Sequence, residues 1–369
     1  MTRVPFNDLR PGDDAADVRA AIDRVIDRGW FVLGPEVDAF EREFAAAAGA
    51  AHAVGVANGT DAIALLLRAA GVGPGDEVIV PAMTAAFTGL AVLMAGATPV
   101  FADVEADTLT LDPRAAAAAV TSRTRALVPV HLYGQAADLD ALSEVAARHQ
   151  LALIEDCCQA HGATSRGAPV GTRGFGAAFS FYPTKNLGAL GDGGAATTND
   201  AGAAARLRRL RNGGQADRYH HVEPGINSRL DEIQAAILRA RLPRLPAATA
   251  RRRALASRYR RALPPGLATI RERDAGHVYH LFPVLSPERE ALQQHLAVAG
   301  IETLIHYPVP LHRQQAFDVG AGSVRQDCPV AGRAAGELLS LPLHPRLADA
   351  DVDRVAATVD LFMKGRVNA

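Results

Sequence analysis

The chain carries 39 basic residues, of which 37 are arginine and only two, Lys185 and Lys364, are lysine. In so biased a composition a retained lysine is informative. Arginine supplies positive charge equally well, but its guanidinium cannot be deprotonated to a nucleophilic amine. Lys364 lies near the C-terminus, where an exposed lysine means little. Lys185 sits in FSFYPTKNLGALGDGG, a glycine-rich loop after an apolar strand. A lysine kept there predicts amine chemistry, as a Schiff base or a general base. The rival, a phosphate-binding lysine, lacks its motif: neither G-x-x-x-x-G-K-[ST] nor G-x-G-x-x-G occurs.

Three further features converge on Lys185. The apolar run Leu151–Glu155 delivers Asp156 to a strand's carboxyl end, twenty-nine positions before the lysine. A carboxylate there can keep a pyridine nitrogen protonated, as an electron-sink cofactor requires. VANGTDAIALLL places Gly59 and Thr60 between a strand and a helix, where backbone N–H groups and a hydroxyl suit a phosphate monoester. Ser180 lies five residues before Lys185. Each has a plainer alternative: Asp156 as a surface cap, Gly59–Thr60 as an ordinary turn, Ser180 as a satisfied strand hydroxyl. Together they specify an aldehyde, a basic ring nitrogen and a phosphate, the three groups of pyridoxal 5′-phosphate (PLP).

The elements that must position these residues read as an α/β fold. Expected strands are Ala53–Ala57, Glu77–Pro81, Thr98–Ala102, Ala126–Leu132, Leu151–Glu155, Ala177–Phe181 and Gly194–Thr198. Helical patterns fall between them at Thr60–Ala70, Thr84–Ala95, Pro113–Val120 and Asp138–His149. Such alternation predicts a mostly parallel sheet covered on both faces, with its ligand outside the strands' carboxyl ends. Beyond it, one long helix (231–263), a strand (277–285), a helix (287–299), a Pro- and His-rich loop (306–312) and a last helix (349–364) read as a smaller α+β domain. The expected division is a large cofactor-binding domain at 1–242, including an N-terminal segment 1–50, and a small domain at 243–369. The triplet Arg251–Arg252–Arg253 reads as a solvated helix face.

Composition narrows the class. Across 369 residues the net charge is −1, with 49% hydrophobic and 21% charged residues. That excludes a disordered or collagen-like chain and gives no reason to expect nucleic acid or an anionic membrane as partner. Three cysteines cannot build a disulfide framework. Cys157 and Cys158 are neighbours, read as small apolar fillers in a reducing compartment. No secretory signal is visible at the start, and the uncharged run Val78–Ala102 contains two prolines and two glycines, which fits strand–helix–strand better than a membrane span. The expectation is a cytoplasmic enzyme without a metal site.

With these motifs in order, the chain resembles the DegT/DnrJ/EryC1/StrS family of PLP-dependent sugar aminotransferases, a branch of the aspartate-aminotransferase-like fold (fold type I). The likeness runs through GWFVLGPEVDAFEREFA, NGTDAIALLL, PVFADVE, IEDCCQAHGA, FSFYPTKNLGALGDGG, GINSRLDEIQAAILRARL and HYPVPLH. Within the family it looks most like enzymes that aminate C-3 of nucleotide-linked keto-6-deoxysugars. The resemblance implies that Lys185 binds the cofactor covalently, that Asp156 pairs with its ring nitrogen, and that Gln159 contacts its ring hydroxyl. It further implies a phosphate cradle of Gly59, Thr60 and Ser180, completed by Asn227 from the second subunit of a homodimer. His306 and Tyr307 would border the sugar, with an amino acid such as glutamate as donor. One departure stands out: relatives place an aromatic residue after the threonine of this PxxT segment, whereas Thr84 is followed by Ala85. Alternatives are C-4 amination, a lyase or dehydratase on the same scaffold, and a non-catalytic relative. Dehydrating relatives carry histidine at the lysine position, which argues against the second.

Overall fold

The computed structural model describes residues 3–318 and 327–367, so the outermost residues of both expected domain spans lie outside the described residues. Seven strands form the main sheet: β1 (His52–Val56), β2 (Glu77–Pro81), β3 (Thr98–Ala102), β4 (Thr124–Leu127), β5 (Ala152–Asp156), β6 (Gly176–Ser180) and β7 (Gly194–Thr198). Their order is β1-β7-β6-β5-β4-β2-β3. Strand β2 is parallel to β3 and β4, β5 is parallel to β4 and β6, and β7 alone runs antiparallel to its neighbours. Every residue of β2 is buried, as a run of Val-Ile-Val covered on both faces must be. The expected mostly parallel α/β sheet is therefore what forms. No helix of the described residues is long and apolar enough to cross a membrane.

Helices α1 (Ala15–Arg28), α2 (Pro35–Ala48), α3 (Gly59–Ala69) and α4 (Ala86–Met94) precede or cover the sheet. Helix α2 opens on proline, and three amides at its start, those of Gly34, Glu36 and Val37, donate to the buried carboxylate of Glu232 at 2.9, 2.9 and 2.8 Å. A Cβ at Gly34 would lie 2.8 Å from Glu232 Oε2. One contact thus joins two distant motifs, LGPE and NSRLDE.

Prolines explain two departures from the expected elements. The run Ala126–Leu132 leaves regular pairing after Leu127 because Pro129 has no N–H to continue the ladder. Its carbonyl still accepts the Asp156 amide at 2.9 Å, and the chain then turns through Tyr133 at φ 60°. The single helix expected at 231–263 divides into α5 (Glu232–Arg241) and α6 (Leu245–Ala262), separated by a 3₁₀ turn at Leu242–Arg244. Pro243 and Pro246 sit where a continuous helix would need their N–H groups.

Past this point a three-stranded antiparallel sheet forms from β8 (Ala268–Thr269), β9 (Phe282–Leu285) and β10 (Leu338–Leu341). The strand expected at 277–285 is shorter at its start. There the amides of Val278 and His280 bond the carbonyls of Gly134 and Tyr133 instead. An apolar cluster including Val4, Leu255, Tyr259, Phe282, Leu292 and Val352 packs around this sheet. Other C-terminal residues, among them Leu281, Leu311 and Phe317, join the core of the main sheet.

Arg252 corrects the expectation of a solvated triplet. It is 5% exposed, and its Nη1 donates to the carbonyls of Tyr279, His280 and Leu343 at 3.3, 3.3 and 2.9 Å. Burial lowers its pKa to about 10, which still leaves it cationic at neutral pH. Arg251, half-buried, pairs with Asp349 at 2.7 Å. Replacing Arg252 by alanine strands three buried carbonyls and is expected to cost roughly 3 kcal/mol. Arg252→Lys, whose ammonium ends one bond short of Nη1, should recover only part of it. Urea denaturation at pH 7 measures both.

Candidate active site

The carboxyl ends of β5 and β6 meet the start of α3. Asp156 is the last residue of β5 and is buried. Its Oδ1 accepts the Cys158 amide at 3.1 Å and its Oδ2 accepts the Thr88 hydroxyl at 2.8 Å. Gln159, also buried, is oriented from two sides. Its Oε1 accepts the Tyr133 amide at 2.7 Å, and its Nε2 donates to the Tyr307 hydroxyl at 2.9 Å. Because the amide oxygen is fixed by a backbone donor, the nitrogen must face Tyr307.

Gly59 opens α3, preceded by Asn58, whose side chain caps the Asp61 amide. A Cβ at Gly59 would lie 2.6 Å from Cys158 Sγ and 2.9 Å from the Ser180 Cβ. Gly59, Cys158 and Ser180 are therefore in immediate proximity, and only glycine leaves the helix N-terminus bare. Thr60 follows in the first turn. Ser180 closes β6, and Lys185 lies in the turn beyond it, its amide donating to the Tyr182 carbonyl at 2.8 Å. The walls around the lysine desolvate its ammonium and lower its pKa, against the opposing pull of Cys158 and Asp156. An amine so placed is nearer its free-base form, as nucleophilic or base chemistry needs.

Tyr307 thus reaches Gln159, while His306 accepts the Tyr133 hydroxyl on its carbonyl and pairs its Nδ1 with Ser340 Oγ at 3.0 Å. Asn227 stands apart: it is exposed and bridges Asn212 through its backbone, outside the Lys185 cluster of its own chain. The residue after Thr84, Ala85, is half-buried, and Phe87 is 62% exposed, so Phe87 does not turn inward to replace an aromatic there. Cys157 is a buried filler as expected, but Cys158 belongs to the site. Sequence reasoning also missed Thr88 and Tyr133. Thr84 precedes the extended N-cap of α4 and Thr88 lies in its first turn, and their hydroxyls meet at 3.3 Å.

Next to the site, His131, Glu155 and Cys157 have ligand atoms within 4.8 Å of one another. Hydrogen bonding accounts for that arrangement. His131 Nδ1 accepts the Ala137 amide at 3.1 Å, so Nε2 carries the proton and donates to Glu155 at 2.9 Å.

A lysine of lowered pKa, a buried carboxylate, an oriented amide and a bare helix N-terminus, all at strand carboxyl ends, define the site of a PLP enzyme. The glycine cradle and the acidic partner fit the phosphate and the ring nitrogen of that cofactor. Comparison with known proteins agrees. The chain belongs to the DegT/DnrJ/EryC1/StrS aminotransferase family, whose model matches residues 13–360, and it is accordingly a PLP-dependent aminotransferase. It is 49% identical to the dTDP-3-amino-3,4,6-trideoxy-alpha-D-glucose transaminase of Streptomyces venezuelae, over 97% of this chain and 95% of that protein. Its fold matches S. venezuelae DesV, solved in complex with a ketimine intermediate, with a TM-score of 0.94 and 48% identity over 98% of this chain and 99% of that one. NtdA from Bacillus subtilis, solved with bound cofactor PMP, superposes with a TM-score of 0.92 at 30% identity, over 99% of this chain and 86% of that one.

The site's histidines give it a pH signature. Burial, reinforced by the charge of Lys185, lowers His161 to about 3 and His306 to about 4. Unfolded histidine titrates near 6.5, so the unfolded chain binds more protons below that value. Stability is therefore complete above about pH 6.5 and falls as pH drops toward 4, by roughly 1.4 kcal/mol per pH unit for each such histidine. Urea unfolding at pH 7 and pH 5 should show the loss, and His161→Phe should reduce it.

Proposed function

We propose that the protein transfers an amino group to C-3 of a nucleotide-linked 3-keto-6-deoxysugar for amino-sugar biosynthesis, with an amino acid such as glutamate as donor. The observation that carries this reading is the half-buried Lys185 in the loop beyond Ser180, its charge coupled to Asp156, in a chain whose relatives include a dTDP-3-amino sugar transaminase at 49% identity. Bound PLP supplies an aldehyde for amines and a ring that accepts the electron pair left when a carbon loses its proton.

The chain's own residues do the rest. The N–H groups and hydroxyl at Gly59 and Thr60, with Ser180, hold the phosphate. Asp156 meets the ring nitrogen and keeps it protonated, and Gln159 meets the ring hydroxyl. Lys185 Nζ holds the aldehyde carbon at rest. As a free amine it would serve as the general base for the α-proton of the incoming amino acid. His306 and Tyr307 border the acceptor sugar, and Tyr307 also carries the orientation of Gln159.

The same reading includes a homodimer in which Asn227 reaches the partner's phosphate, a small domain at 243–369, and a cytoplasmic location. Exposed Trp30 and Phe31, on a loop before α2, supply apolar surface for such a partner.

The test is incubation with PLP, glutamate and a panel of dTDP- and UDP-linked 3-keto and 4-keto sugars. The expected product is the 3-amino sugar, formed with ping-pong kinetics; exclusive amination of 4-keto sugars would replace this reading with C-4 transfer. Lys185→Ala should lose borohydride-trapped cofactor and slow turnover roughly a thousandfold or more. Asp156→Ala should fold yet lose amino transfer. Full activity in either variant overturns its assigned role.

A further inference from the structure

We propose that Thr88 is a positioning residue for Asp156 and that Thr84 aligns Thr88, so that two buried hydroxyls in series fix the carboxylate that meets the cofactor ring. The inference rests on the PLP reading above and adds two residues to it.

Both threonines are buried, Thr84 at 2% and Thr88 at 1% exposure. Thr88 lies in the first turn of α4, its amide bonded to the Ala85 carbonyl at 3.2 Å. A buried threonine deeper in a helix can bond the carbonyl four residues back, but here that residue, Thr84, precedes the helix. Thr88 instead spends its hydroxyl on Asp156 Oδ2, sixty-eight positions away, at 2.8 Å.

Proton counting then orders the whole chain of bonds. An ionised carboxylate only accepts, and a hydroxyl has one proton to give. Since that of Thr88 goes to Asp156, the 3.3 Å contact between the two threonine hydroxyls is donated by Thr84. Each bond polarises the next, which strengthens donation to the carboxylate. The other carboxylate oxygen is taken by the Cys158 amide at 3.1 Å. With one oxygen tied to the turn after β5 and the other to α4, the carboxylate plane cannot rotate freely. Without the hydroxyl, Asp156 would keep its place on the strand but lose its fixed orientation.

Thr88→Val keeps the β-branched shape and removes the donor, whereas Thr88→Ser keeps the donor. The primary readout is the dissociation constant of PLP from apoprotein, by fluorescence titration; the second is the half-reaction with glutamate. Thr88→Val is expected to weaken PLP about tenfold and to slow the half-reaction by a similar factor, while Thr88→Ser stays within about twofold of wild type. Thr84→Val should move both readouts the same way by less. In an Asp156→Asn background, Thr88→Val should change PLP affinity less than about twofold.

A wild-type PLP constant and half-reaction in Thr88→Val would overturn the proposal. So would equal damage from valine and serine, or an undiminished penalty in the Asp156→Asn background, because each assigns the effect to packing. Should Thr88→Val not fold, Thr84→Val and Thr88→Ser decide: the inference requires a loss in the first and none in the second. Wild-type protein that fails to take up PLP would sink the cofactor reading instead, a different outcome from any of these.

Discussion

A carboxylate withdrawn from water must be met by donors, and β5 ends on two carboxylates in succession. Strand alternation sends Glu155 and Asp156 to opposite faces of the sheet. Glu155 receives His131 Nε2 and the amides of Gly171 and Arg173, at 2.9, 2.7 and 2.9 Å. Burial alone would raise its pKa, but His131 and these amides hold it below the ordinary value. Asp156 receives Thr88 and the Cys158 amide. Satisfying the pair therefore ties the segment after β4, the loop at 171–173, helix α4 and the turn at Cys158 to one strand end. The site is the place where those obligations meet.

Arginine composition acts on the fold as well as on the reading of Lys185. Arg252 is held among three carbonyls, all bonded by Nη1, so that one cation serves several acceptors. Arg239 shows the same property at the surface, bonding Glu36 and Glu43 together. Against this background a lysine at 185 is conspicuous because it carries an amine, which can act as a nucleophile or base where a guanidinium cannot.

Much of the large sheet was legible, since strands such as Glu77–Pro81 and Thr98–Ala102 are short apolar runs between turn residues and need no distant partner to be recognised. Asp156, Gly59, Ser180 and Lys185 were legible for a related reason, because each falls at the end of such a run. What escaped depends on contacts far along the chain. Arg252 reads as solvated until carbonyls some thirty and ninety positions away enclose it. The prolines at 243 and 246 were visible, yet the periodic pattern around them outweighed their missing N–H groups. Helices α1 and α2 carry their own signals, a proline at the first position of α2 and left-handed glycines at both C-termini, which a reading centred on the lysine left unassigned. Thr88 and Tyr133 are ordinary residues by type, and only the fold turns their donors toward Asp156 and Gln159.

That last point bears on how the two ends of the chain cooperate. Gln159 lies on the large sheet, but its nitrogen is directed by Tyr307, whose neighbour His306 is in turn held by Ser340 on β10 and stacked against Phe6 at 5.8 Å. Tyr133, which fixes the oxygen of Gln159, also bonds the His306 carbonyl. The Gln159 amide is thus clamped between a turn of the large sheet and a loop anchored on the small one. A shift of the C-terminal sheet relative to the main sheet would therefore reach Gln159 through two hydrogen bonds, and would reach the loop of Lys185 through Asn186, whose side chain bonds the Val278 carbonyl at 3.2 Å and His280 Nδ1 at 3.3 Å. Asp156 is held by the main sheet and α4 alone, whereas the orientation of Gln159 and the loop of Lys185 are shared with the C-terminal segment.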